Sequence, residues 1–170
     1  MHKNSLQIMQ KFVKDYLPDR KMKILDIGSR IIPNQTEIGS YRKYFIHKKW
    51  QYIGVDVEAG ENVDIVMTDN NKFPFKSGEF EVVISGQTIE HVEYPWVFFK
   101  EIERVLKKDG LCCIIAPAKL HEHRYPIDTF RYYPDGMRAL AKYSNLKVLE
   151  VKRIVVDIKA EDTYLIAKKI

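Results

Sequence analysis

The sequence predicts a three-layer α/β unit with a mostly parallel sheet. Short apolar strand candidates alternate with amphipathic helical stretches along the chain. Early strands are apolar at consecutive positions, as at Val82, Val83 and Ile84, which suits a sheet covered on both faces. Too few residues join the last two strands for a crossover helix, so those strands must pair antiparallel.

The elements follow in order. Leu6, Met9, Phe12, Val13 and Tyr16 recur at three- and four-residue spacing, predicting an amphipathic helix over 5–17. Asn4 or Ser5 is its cap, and Pro18 lies beyond its end. Strands are expected at 22–27, 52–57, 63–67 and 80–85, with a short helix at 40–48. A helix is expected over 93–107. Phe98, Ile102, Val105 and Leu106 form its stripe, and Pro95 sits in its first turn. Lys107 and Lys108 fall where the helix dipole favours cations, with Gly110 just beyond. A fifth strand spans 111–116 and is closed by Pro117. Residues 118–133 are polar and aromatic without periodicity, and a helix follows over 134–143. The last two strands, 146–157 and 163–169, meet at a turn over 159–161. Residues 1–20 are read as a helix that covers or lids the core, and 21–170 as one domain.

Composition bounds the class. The 170 residues are 45% hydrophobic and 30% charged, enough for one domain with a real core. The net charge of +5 is interspersed, so it gives no clustered nucleic-acid footprint. No apolar run spans 18 residues, and the first residues lack a signal-peptide core. Cys112 and Cys113 are adjacent; in a strand they point to opposite faces and do not bridge. They are expected to be buried apolar groups in a reducing, cytoplasmic setting.

In open α/β sheets the ligand sits beyond the carboxyl ends of the strands. Asp26, Gly28, Ser29 and Arg30 follow the first strand, and Asp56 closes the second. Asp69 and Asn70 follow the third, and Ser85, Gly86, Glu90 and His91 follow the fourth. Gly28 permits a tight turn. The Asp56 carboxylate suits a ribose diol, and Asp69 suits an adenine amine. Asp26, inside an apolar strand, must be hydrogen-bonded to be tolerated there. Residues 28–33 read Gly-Ser-Arg-Ile-Ile-Pro, so the glycines of a dinucleotide pyrophosphate loop are missing. A nucleoside triphosphate loop is missing as well. An adenosine-bearing ligand without phosphate fits better.

Four fragments carry a resemblance: ILDIGSR at 24–30, YIGVDV at 52–57, FPFKSGEFEVVISGQTIEHV at 73–92 and ERVLKKDGLCCIIAP at 103–117. In this order they resemble the class I S-adenosylmethionine-dependent methyltransferases. The resemblance implies a three-layer Rossmann-like methyltransferase fold, with a mostly parallel seven-stranded sheet and an antiparallel final strand. It also implies S-adenosylmethionine as cofactor. Asp26 and Gly28 would shape the pocket for its methionine part, with Ser29 in the same turn. Asp56 would bind ribose, Val57 would line adenine, and Asp69 and Asn70 would face the adenine edge. Ser85, Gly86 and Gln87 would lie under the donor methyl. Arg30 stands where the family has its second glycine, and either reaches the cofactor carboxylate or crowds the pocket. Tyr41 and Arg42 are further candidates for that end. GSYR at 39–42, EHV at 90–92 with Pro95 and Trp96, and HRYPIDTFRYYPDGMRAL at 123–140 resemble a bacterial subgroup of glycan and secondary biosynthesis.

Methyl transfer needs alignment of donor and acceptor, and a hydroxyl acceptor must also lose its proton. His91 and His123 are the candidate bases. Trp96, His121, Tyr125, Asp128, Phe130 and Arg131 are the candidates for the acceptor side. The aromatic rings would form a wall there, with Arg131 reading an anionic or hydroxylated group. His121, Glu122, His123 and Asp128 also carry metal-ligand chemistry, but H-x-H spacing is common by chance and no metal is expected. The preferred reading is transfer to a small-molecule or glycan hydroxyl. An RNA or protein methyltransferase, and a noncatalytic cofactor-binding or partner subunit, are the alternatives. The RNA alternative requires a contiguous basic surface beside the pocket.

Overall fold

The structure is a computed structural model that describes residues 3–32, 39–69, 71–155 and 157–170, apart from the Lys3 side chain. Its centre is a seven-stranded sheet in the order β3-β2-β1-β4-β5-β7-β6. The strands are β1 (Met22–Ile27), β2 (Trp50–Asp56), β3 (Ile65–Val66), β4 (Phe80–Gly86), β5 (Leu106–Lys119), β6 (Leu146–Val155) and β7 (Glu161–Lys169). β1 pairs parallel with both β2 and β4, and β5 parallel with β4. β7 is inserted between β5 and β6 and runs antiparallel to both. The antiparallel final strand of the sequence reading is therefore present.

Strand periodicity builds two cores. Leu25, Ile27, Val83 and Cys112 face a cluster that includes Phe98, Phe99 and Ile102 of α2 (Pro95–Val105) and Met137 of α3 (Pro134–Tyr143). Met22, Ile24, Val82, Ile84 and Cys113 face the opposite cluster, with Leu6, Met9 and Phe12 of α1 (Lys3–Tyr16). Alternation along each strand thus sends neighbouring side chains into different layers. The adjacent cysteines are both buried and free. Burial pushes the Cys112 thiol up to about 12 and Cys113 upward too, so neither is a ready nucleophile.

α1 is tied to the sheet by polar contacts as well. The Tyr16 hydroxyl donates to Glu150 Oε2 at 2.9 Å, and Tyr164 donates to Oε1 of the same carboxylate at 2.6 Å. No helix among the described residues is long and apolar enough to cross a membrane.

Three local expectations are corrected. The helix expected at 40–48 is a single 3-10 turn, Tyr41–Tyr44. Tyr41 and Phe45 are both buried in the α1 layer, and one anchored turn is too short to propagate a helix. α2 ends at Val105, and β5 begins at once with Leu106, which pairs with Phe80. Lys107 and Lys108 therefore lie on a strand with an irregular register, not on a helix end. The last-turn cation of α2 is Arg104, whose guanidinium donates to the carbonyls of Phe73 and Phe75. β3 is only two residues long.

Phe12 is fully buried between α1 and the sheet. Replacing it with alanine is expected to cost about 3–5 kcal/mol in urea unfolding. A loss below about 1 kcal/mol would make α1 a loosely held lid rather than part of the core.

Candidate active site

β1 and β4 are neighbours in the sheet, but their chains leave toward opposite faces. After β1 the chain supplies Tyr41 and Phe45 to the α1 layer; after β4 it supplies Ile89 and α2 to the other layer. A crevice opens at such a divergence. Here it is a cleft of about 400 Å³, within the range of small-molecule sites. Gly28, Arg30, Asp56, Val57, Gly86, Gln87, His91 and Tyr125 line it. The sequence reading names all eight. Ile27, Ile32, Met67, Thr88, Val92 and Phe98 complete its walls, with Glu58, Arg124 and Pro126 at the margin.

Two glycines keep the crevice narrow at its base. Gly28 has φ +76°, and a Cβ there would stand 2.1 Å from Thr88 Oγ1. A Cβ on Gly86 would stand 2.0 Å from the buried Tyr41 hydroxyl. The amides of Gly28 and Ser29 both donate to the Val55 carbonyl, at 2.9 and 3.0 Å. This draws the turn after β1 onto the end of β2.

Asp56 organises the β2 side. Its Oδ2 accepts from the Arg30 amide at 3.1 Å, and its Oδ1 from the Val57 and Glu58 amides at 2.8 and 3.2 Å. A carboxylate has about four acceptor sites, so capacity remains toward the cleft. The Arg30 guanidinium is held by Glu58 at 2.8 Å, and its stem lies over Gly60. Arg30 is thereby part of the wall rather than a plug.

Other expected residues serve the scaffold. Asp26 lies beneath the cleft and accepts from the Tyr52 hydroxyl, not from amides of the following loop. Burial raises its carboxyl to about 7, outweighing the lowering by that hydrogen bond. Ser85 donates to the Ile27 carbonyl at 2.8 Å, bracing β4 against β1. Ser29 donates to the Asn62 carbonyl at 3.0 Å, and Asn62 Nδ2 donates back to the Ser29 carbonyl at 2.7 Å. Arg42 binds Asn62 and Asp64 and stacks on Tyr52, with its guanidinium carbon 4.4 Å from the ring centre. Asp26, Ser29, Tyr41, Arg42, Asp69 and Ser85 are absent from the cleft lining. Asp69 accepts from the Asn71 amide at 2.7 Å, and Asn70 lies outside the described residues.

The β4 side carries the histidines. His91 Nδ1 lies 2.7 Å from the Ile127 carbonyl. A carbonyl only accepts, so Nδ1 carries the proton and Nε2 is bare. Burial lowers the His91 pKa, favouring the neutral ring. His123 stands edge-on to His91 with centroids 4.9 Å apart, and Tyr125 lies 5.8 Å from His91. Beside them Glu90 is fully buried, and burial raises its carboxyl to about 8, with the Asp162 charge adding to the rise. The sequence puts Glu90 at a strand end and assigns it no role; its place directly after Ile89 in Thr-Ile-Glu-His-Val is the signal available.

β5 runs on through Pro117, which pairs with Asp162, to Lys119, so the loop is 120–133 rather than 118–133, and it is stitched internally. Asp128 receives both terminal guanidinium nitrogens of Arg131, at 2.5 and 2.7 Å, and accepts from the His123 amide at 2.7 Å. The Arg131 bonds hold the Asp128 carboxyl well below the usual range. Arg131 also donates to the carbonyls of Leu120 and His121. Its donors thus go to the loop rather than into the cleft. Trp96 packs near Tyr94 and Phe130 near Tyr132; both Trp96 and Phe130 are exposed and outside the lining, as is His121.

The sheet order, the switch point and the acid closing β2 decide the fold. This is the class I S-adenosylmethionine-dependent methyltransferase fold. Comparison with known proteins agrees. The methyltransferase domain family matches residues 38–114. A S-adenosylmethionine-dependent methyltransferase from Aquifex aeolicus superposes with TM-score 0.66 at 18% identity, covering 98% of both chains. The (4+2)-cyclase SpnF shares the fold, with TM-score 0.74 at 13% identity over 97% of this chain and 80% of that one. The ubiquinone/menaquinone biosynthesis C-methyltransferase UbiE of Desulfotalea psychrophila is 32% identical over 85 residues, 49% of this chain and 34% of that protein. The chain spans about a third of that relative's length. The class I cleft suits the cofactor in size, in its acid beside β2 and in its apolar walls.

Asp26 gives a pH test. Its pKa is raised in the fold from 3.8 to about 7, so its contribution favours folding at low pH and is lost as pH rises through about 7. Relative to Asp26→Asn, the wild-type melting temperature is expected to fall between pH 4 and pH 8. A difference that does not change with pH would mean that Asp26 titrates as an ordinary carboxylate.

Proposed function

We propose that this chain moves the methyl group of S-adenosylmethionine to a hydroxyl of a small-molecule or glycan acceptor. The supporting observation is the cleft itself, with Asp56 on its β2 side and His91 on its β4 side. Asp56, fixed by three backbone amides, accepts from the ribose hydroxyls. Val57, Ile32 and Met67 offer apolar surface for adenine, and Arg30 offers a cation for the cofactor carboxylate. When bound, S-adenosylmethionine supplies a methyl group activated by its sulfonium sulfur. Gly86, Gln87 and Thr88 hold the donor end in place, which leaves the His91 side for the acceptor. Alignment is the main task, and the bare Nε2 of a neutral His91 takes the acceptor's proton as its oxygen attacks. His123 lies outside the cleft lining and packs edge-on against His91, so its part is to back that ring. Tyr125, 47% exposed on the cleft margin, provides a ring face for a sugar or an aromatic acceptor. Carbon methylation is the second reading, favoured by the name of the C-methyltransferase relative.

Calorimetry with S-adenosylmethionine and S-adenosylhomocysteine is expected to give binding of both. Asp56→Ala should weaken each about tenfold or more, the loss of a charged hydrogen-bond partner. Unchanged affinity would remove the ribose role. With labelled cofactor, label is expected in small molecules or glycans; label entering RNA or protein alone would overturn the acceptor class.

A further inference from the structure

Beside the cleft, three side chains hold lone pairs that the fold does not use. The Glu90 side chain is 0% exposed, and neither of its oxygens finds a hydrogen-bond donor on another of the described residues. Among the described residues, the cation paired with it is His91, whose Nε2 lies 3.9 Å from Oε1, too far for a hydrogen bond. A buried carboxyl without a partner keeps its proton unless a cation takes that place, so the position can accept a compensating ion. His91 and His123 each present Nδ1 to a carbonyl, Ile127 at 2.7 Å and His121 at 3.2 Å. Carbonyls in that position fix the tautomer and orient an imidazole for metal binding. One ligand atom each from Glu90, His91 and His123 lie within 4.8 Å of one another.

We propose that Glu90, His91 and His123 bind one divalent cation of the zinc class at the acceptor side of the cleft. Two imidazoles and a carboxylate suit such ions, and three protein ligands leave a position open. Ligands about 2.1 Å from a tetrahedral ion stand roughly 3.4 Å apart, so small side-chain rotations close the site. The set differs from the one that sequence spacing suggests. Asp128 is taken by Arg131, and Glu122 pairs with Arg124 at 2.8 Å.

The role of the cation rests on the proposed methyl transfer; its binding does not. An acceptor hydroxyl on the open position becomes a stronger acid. Its O–H bond breaks, the proton passes to water, and the oxygen keeps the electron pair. That pair forms the oxygen–methyl bond as the methyl–sulfur bond breaks and its electrons go to sulfur. With the ion bound, the His91 lone pair is committed to it and the metal-bound oxygen needs no imidazole base; the base role of His91 belongs to the ion-free chain.

The test uses the full, tag-free chain after chelator treatment, titrated with Zn²⁺ by calorimetry and with Co²⁺ by visible absorption, without cofactor. One ion per chain is expected, with affinity lowered at least about tenfold in Glu90→Gln and in the more exposed His123→Ala. Circular dichroism and melting verify that both variants fold. No binding, or affinity unchanged in both folded variants, overturns the site. Methyl transfer is then assayed separately. Binding without transfer to any acceptor leaves the site standing and removes the functional reading. Transfer at full rate in a chain that binds no ion removes the site and leaves the function.

Discussion

Everything at the cleft depends on the parting of β1 and β4. The two strands share parallel hydrogen bonds, yet the chain beyond β1 packs into the α1 layer and the chain beyond β4 into the α2 layer. Only a residue without Cβ fits at Gly28 against Thr88. That contact holds the two strand exits close at the base while the loops diverge above it. The crevice is therefore a product of topology: strand ends place Gly28, Asp56 and Gly86, and the loop after β5 adds Arg124, Tyr125 and Pro126.

The polar residues of this end divide by what they have left to offer. Asp26, Ser29, Arg42, Ser85, Asp128 and Arg131 spend hydrogen bonds on neighbouring strands and loops. They fix the walls. Asp56, Gln87 and His91 remain on the cleft surface, and each is itself held: Asp56 by amides, Gln87 by Asp162 at 2.9 Å, His91 by the Ile127 carbonyl. Groups fixed in advance lose little freedom when a ligand arrives.

Period-two alternation made the sheet legible, because Met22–Ile27 and Val82–Ile84 must feed two apolar layers at once. Asp56 was legible because it closes such a strand. The α2–β5 boundary was not. Leu106 continues the helical stripe of Ile102 and Val105, yet it pairs with Phe80, and tertiary pairing overrides the local pattern. Tyr41, Tyr44 and Phe45 imitate helical spacing while forming one buried turn. The meeting of Glu90 with His123 had no local signal. The two are far apart in the chain, and His123 lies in a loop without periodicity. Arg131 read as a ligand-facing cation because its partner Asp128, three residues away, had no visible claim on it.

The most direct measurement is a crystal structure with S-adenosylhomocysteine. The nucleoside should lie in the cleft with its ribose hydroxyls on the Asp56 carboxylate and its sulfur over the Gly86–Thr88 segment, facing His91. A ligand seated on another face of the molecule, or in the cleft with its ribose away from Asp56, would contradict the account.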